Sequence, residues 1–237
     1  MKAKPKKKSR VEIAAPLTAV YHFKIYLLNI SPMIYRRFKV KGDTHIAQLH
    51  HLIQIIMGWD NDHLHSFKIW GMEYGISRSG GLGFYYNPCK IFIGDLGFRI
   101  GDKFTYDYDF GDDWEHEIRV EKIEAFNSSY KHPLCIEGKR ACPPEDCGGP
   151  FTYEDVIFDQ SIWPREALWS ILDSVNAGKM PDFDFDDDNI PYWYKKFDSE
   201  HFDKAKINQA IKKLYQEKGD YDFWWTLREY YDYLEDE

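Results

Sequence analysis

The sequence predicts an α+β protein: a mainly antiparallel β-sheet, one helix over about residues 43–57 packed across it, and a helical C-terminal section. Three observations carry this. Apolar side chains alternate in Tyr21, Phe23, Ile25 and Leu27 and again in Phe104, Tyr106, Tyr108 and Phe110, and strand side chains point to opposite faces in turn, so each run builds one buried face. Ile46, Leu49, Leu52, Ile53, Ile56 and Met57 recur instead at helical spacing and form one apolar stripe. Beyond Gly149 the pattern becomes helical again.

Taken in order, Ala19 to Val40 reads as two strands broken at Asn29-Ile-Ser-Pro32, where a proline costs no ladder hydrogen bond. Asp43 or Thr44 is placed to cap the helix, and Gly58 supplies its left-handed stop. His50 falls at the edge of the apolar stripe and is the better of two neighbouring histidines for a semi-buried role, since His51 points away at 100° per residue. Trp59 to Ile69 is a polar turn entering a strand, with His63, His65, Phe67 and Ile69 on one face. Gly75 to Gly83 reads as a hairpin loop or lid, because its glycines form neither a dinucleotide fingerprint nor a Walker loop.

Cys89 to Phe98 reads as a further short strand and turn. The next hairpin sets Phe104, Tyr106, Tyr108 and Phe110 on one face, with Asp107 and Asp109 opposite. Gly111-Asp112-Asp113 makes its turn, after which Trp114, His116, Ile118 and Val120 share a face opposite Glu115, Glu117 and Arg119. Thr152-Tyr-Glu-Asp155 has the form of a capping box. Pro164 to Val175 is amphipathic, residues 182–188 read as an acidic linker, and two helices follow at about Ser199 to Gln216 and Tyr221 to Leu234. The last carries Trp224, Trp225, Tyr230 and Tyr231. The expected organisation is a flexible basic arm over residues 1–16, an α+β domain over 17–215 and an aromatic C-terminal helix over 216–237.

Composition narrows the function classes. A formal net charge of -8 argues against a surface built as a whole to hold nucleic acid or anionic lipid. Lys2, Lys4, Lys6, Lys7, Lys8 and Arg10 allow only a local, weak nucleic-acid contact through the arm. The apolar runs fall short of the roughly 20 residues a membrane helix needs, and no apolar stretch follows the basic N-terminus, so a soluble cytoplasmic protein is expected. Four cysteines in 237 residues make no disulfide scaffold and suit a reducing compartment.

Polar chemistry concentrates in three blocks. Candidate ligand-binding residues are His50, His63, His65, Asp109, Asp112, Trp114, His116, Glu145 and Asp146. Cys142 and Cys147 are candidate metal ligands, together with these imidazoles and acids, for zinc or a similar borderline ion. The bland alternatives are a buried His116 bonded to an aspartate, turn capping by Asp112 and Asp113, and a small buried thiol at Cys142.

The order of these motifs resembles the plasmid pRiA4b ORF-3-like family. The matching runs are Leu49-His50 through Gln54, Met57-Gly58-Trp59, His63-Leu-His65-Ser-Phe67, Tyr106-Asp-Tyr108-Asp109-Phe110-Gly111-Asp112-Asp-Trp114-Glu-His116 and Gly138-Lys-Arg140-Ala-Cys142-Pro-Pro-Glu-Asp-Cys147-Gly-Gly149. Phe197-Asp198, Phe202-Asp203 and Ile207-Asn208 resemble the family's closing helix motif. The resemblance covers about Leu17 to Leu214. It implies a bacterial and archaeal protein often carried on plasmids and transposable elements, with a resolvase-like label but no established biochemistry.

The residues do not supply recombinase chemistry, because neither a serine beside an arginine cluster nor an Arg-His-Arg-Tyr set is present. Asp109-Phe110-Gly111 matches a kinase metal-binding tripeptide, yet the accompanying kinase motifs are missing. Two function classes remain. The preferred one is a non-catalytic binding or adaptor module for a protein or small-molecule ligand; the other is a metal-dependent hydrolase or nuclease-like enzyme using the His/Asp/Cys cluster.

Overall fold

Strands β1 (Val20–Leu27) and β2 (Tyr35–Lys41) form the first antiparallel pair, and their registered aromatics Phe23 and Phe38 are fully buried. The structure is a computed structural model, which describes residues 16–75, 84–157, 172–174, 176–178 and 197–217. The expected basic arm, the glycine-rich loop tip, the acidic linker, the aromatic final helix and most of the amphipathic segment from Pro164 lie outside the described residues.

Among those described, seven strands make one sheet. The others are β3 (His65–Ile69), β4 (Met72–Gly75), β5 (Lys103–Tyr108), β6 (Trp114–Glu124) and β7 (Leu134–Lys139). Their order is β4-β3-β5-β6-β1-β2-β7, and every neighbouring pair is antiparallel. The α+β, sheet-dominated class is therefore as expected.

Helix α1 (Ile46–Met57) lies across the sheet and buries Ile46, Leu49, Leu52, Ile53 and Ile56. Neither Asp43 nor Thr44 caps it. His45 does, its Nδ1 accepting from the Gln48 backbone N–H while Gln48 Oε1 accepts from the His45 N–H, so both ends of a capping box are met. Gly58 ends the helix as expected, at φ 92° with its N–H donating to the Gln54 carbonyl.

Residues 89–98 form no strand. Their backbone bonds go instead to the chain entering α1: Ile93 N–H to Thr44 O, Gly94 N–H to Gly42 O, and Ile46 N–H to Ile91 O. A short 3-10 turn (Ile93–Leu96) results from this local clamp.

Residues 149–157 are helical and form α2. Gly148 and Gly149, both at positive φ, and Pro150 start it, because proline suits a first turn whose N–H has no helical partner. Thr152 to Asp155 consequently lies inside the helix and is not its cap. Helix α3 (Lys204–Glu217) begins later than Ser199, since Asp198 holds a turn by accepting from the Glu200 and His201 N–H groups, and Asp203 Oδ1 then caps at Lys206 N–H. From α3, the Asn208 amide accepts from Cys135 N–H and donates to Cys135 O, both at 2.9 Å. This occupies the outer edge of β7, which a sheet would otherwise leave open to another strand.

Candidate functional site

The site begins where the β5–β6 hairpin turns. Asp109 takes the left-handed conformation at φ 56°, and its Oδ1 accepts from the Gly111 and Asp112 N–H groups at 3.0 and 3.3 Å. Aspartate tolerates this backbone because its carboxylate rewards it locally. The left-handed residue also breaks the alternation. Asp109 is thereby buried instead of lying on the outer acidic face, and Phe110 is turned outward, 40% exposed, instead of continuing the aromatic face of Phe104, Tyr106 and Tyr108.

The loop over 140–149 closes onto this tip. Trp59 Nε1 donates to Pro143 O at 2.9 Å, Asp60 N–H to Glu145 Oε1 at 3.1 Å, and the Tyr108 hydroxyl to the same Glu145 oxygen at 2.5 Å. Gly148 N–H donates to Asp112 Oδ2 at 3.0 Å. Burial first and Glu145 second keep the Tyr108 phenol protonated well above its ordinary range. Its hydroxyl therefore acts as a fixed donor.

His63 lies just before β3 and not within it. Its ring sits edge-on to Tyr108, with Nδ1 3.6 Å from Asp109 Oδ1 and Nε2 3.1 Å from Asp146 Oδ1. One donor atom from each of these three residues falls within 4.8 Å of the others. The Nε2 approach to Asp146 lacks hydrogen-bond alignment, so this nitrogen is covered without being bonded.

The other candidate imidazoles, His50, His65 and His116, are buried. His50 stacks on His65 with centroids 3.4 Å apart. Gln54 Nε2 donates to the Tyr106 hydroxyl at 2.9 Å; that hydroxyl donates to His50 Nδ1 at 2.8 Å, and His50 Nε2 donates to Asn61 Oδ1 at 2.5 Å. This chain is self-consistent only for neutral His50 with its proton on Nε2. Burial, then His65 and His51, hold its pKa well below 6.5. His116 donates from Nδ1 to the Tyr106 carbonyl at 3.0 Å, a backbone partner and not the expected aspartate, and burial lowers its pKa to about 4. Trp114 packs in the core 6.3 Å from Trp59.

Cys142 and Cys147 do not join the His63, Asp109 and Asp146 set. Cys142 Sγ accepts from Arg36 Nη2 at 3.3 Å and lies 3.5 Å from Met57 Sδ. Burial raises both thiols, Cys147 to about 12, which favours the protonated form over the thiolate a metal needs.

The structure thus brings Asp109, Asp112, His63, Glu145 and Asp146 together, with His50, His65, Trp114 and His116 in the wall beneath. Sequence reasoning passed over Tyr108 and Trp59, which fasten the loop, and Arg36, which is buried. Alternation on β2 contained the signal for Arg36, since it shares the face of Phe38 and Val40.

Fold and site together define a sheet protein with an acidic, loop-closed notch at one hairpin tip. Residues 19–206 match the family described as Plasmid pRiA4b ORF-3-like protein, and the chain belongs to that family. It is 31% identical over 143 residues to the uncharacterized protein y4hQ of Sinorhizobium fredii (strain NBRC 101917 / NGR234), covering 59% of this chain and 72% of that one. A crystal structure of a protein of unknown function, MM3350 from Methanosarcina mazei Go1, is similar with a TM-score of 0.59 and 30% identity, covering 78% of this chain and 96% of that one. Among the described residues, no helix is long and apolar enough to cross a membrane.

Proposed function

We propose that the chain is a non-catalytic binding module, and that the acidic notch at the hairpin tip docks a positively charged segment of a partner protein. One observation carries this reading. Of the groups suited to nucleophilic or acid–base work, His50, His65, His116, Cys142 and Cys147 are buried and His63 alone among these candidates reaches the notch, where Asp60, Asp62, Asp113 and Asp146 are exposed. Exposed Phe110 and, at 80%, Phe151 add apolar anchors in the same two segments, and a patch of acids with aromatics complements a basic segment.

A photo-reactive residue placed at Phe110 or Phe151 should cross-link a partner in the cells that make the protein, and added polylysine should compete. The same probe at Glu137, on the opposite edge strand β7, should not. Equal capture from Glu137, or none from the two aromatic positions, overturns the reading. So does turnover by the purified protein that His63→Ala abolishes.

A further inference from the structure

We propose that His63, Asp109 and Asp146 form a site for one divalent ion of the manganese, iron or zinc class. The donors come from three separate segments: the connection from α1 to β3, the β5–β6 turn and the 140–149 loop. Ligand atoms about 2.1 Å from an ion stand roughly 3.0–3.4 Å apart in tetrahedral or octahedral geometry, and His63 Nε2 already lies 3.1 Å from Asp146 Oδ1. Asp109 Oδ1 lies 3.6 Å from the ring's other nitrogen, Nδ1, and one donor atom from each of the three residues falls within 4.8 Å of the others, so an ion draws the imidazole or a carboxylate round to complete the set.

Asp109 is the anchor. It is buried, and two backbone N–H groups hold its Oδ1 in place while lone pairs remain on the carboxylate. Asp146, with a side chain 78% exposed, is the movable ligand on the solvent side. One imidazole with two carboxylates and no thiolate selects hard to borderline ions over soft ones. An ion here ties the loop to the hairpin and leaves its outer coordination positions to water, while Asp60, Asp62 and Asp113, exposed and outside the ligand set, remain to meet a partner's basic segment.

The inference deepens the docking reading and rests on it for the importance of the notch, but the two fail separately. Full-length protein, stripped with a chelator and dialysed, is titrated with manganese and with zinc chloride by calorimetry. One ion per chain is expected, with His63→Ala and Asp146→Asn each weakening binding by about tenfold or more. Asp113→Asn, Cys142→Ser and Cys147→Ser should leave it within about twofold of the parent, a margin well below that loss. Asp146→Asn keeps the test valid if His63→Ala unfolds, because its side chain is exposed. Absence of saturable uptake, uptake indifferent to both ligand variants, or uptake lost in the cysteine variants overturns the site. Partner cross-linking that persists in protein with no ion uptake removes the ion alone; ion uptake mapped to His63 and Asp146 without cross-linking removes the docking reading alone.

Discussion

The imidazoles of His50 and His65 lie face to face, 3.4 Å between centroids and 5° from parallel, inside the wall beneath the acidic notch. Two rings so placed cannot both carry a proton cheaply in a buried setting. This couples the interior of the site to acid.

Stability should fall as pH drops. His50 is held well below 6.5 by burial and His65, and His116 is lowered to about 4 by burial. The unfolded chain therefore takes up these protons first, and stability present above pH 6.5 is lost as pH falls from there toward the folded values. His116 alone should cost roughly 2 kcal/mol at pH 5, and His50 acts in the same direction. Urea melts at pH 7.5 and pH 5 measure it, and equal midpoints would contradict the buried neutral rings.

Gly149 and Gly58 should respond differently to alanine. Both have positive φ, 82° and 92°. A Cβ at Gly58 meets nothing within 4 Å, so only the left-handed backbone resists, at about 1 kcal/mol. A Cβ at Gly149 collides with the Asp112 carbonyl oxygen, and Gly149→Ala should cost upward of about 3 kcal/mol. Denaturant unfolding ranks the two; similar costs would mean the loop does not press on the hairpin.

Arg36→Lys should destabilise by about 2–4 kcal/mol. The guanidinium donates to Ile56 O, Tyr35 O, Lys139 O and Cys142 Sγ and stacks 4.7 Å from the Phe202 ring. An ammonium cannot serve these acceptors in one plane. A lysine variant that melts with the parent in a thermal scan would show that the fork is dispensable.

Native alkylation should be selective. Burial pushes Cys135 up to about 11 and Cys147 up to about 12, and raises Cys142 as well, whereas Cys89 is only half-buried. Iodoacetamide at pH 8 should mark Cys89 first, by about tenfold or more over the other three, with urea erasing the difference. Peptide mass spectrometry reads the order, and rapid native labelling of Cys147 would mean the loop is open.

The strands β1, β2, β5 and β6 were legible because each buries one face, which imposes strict alternation on Tyr21 to Leu27 and Trp114 to Val120. Helix α1 was legible from its stripe and Gly58, but its cap was not, since histidine seldom takes that place and His45 succeeds through Gln48. The three polar blocks could be named from sequence; their relative positions could not. Asp109 shows why: a single left-handed residue reverses inside and outside for its successor Phe110, and periodicity carries no sign of it. Cys142 and Cys147 suggested ligands by residue type, whereas the packing of Met57 and Arg36 around Cys142 depends on contacts more than 80 residues apart.

The sheet order also sets a timetable for synthesis. β1 lies between β2 and β6, and Val20 pairs across to Glu124. The first hairpin leaves the ribosome well before either neighbour, β6 or β7, exists, carrying Phe23 and Ile25 with both edges unpaired and α1 as its early cover. Pairings this distant in sequence fold slowly and expose strand edges meanwhile, so this chain should depend on holding chaperones until residues past Lys139 have emerged.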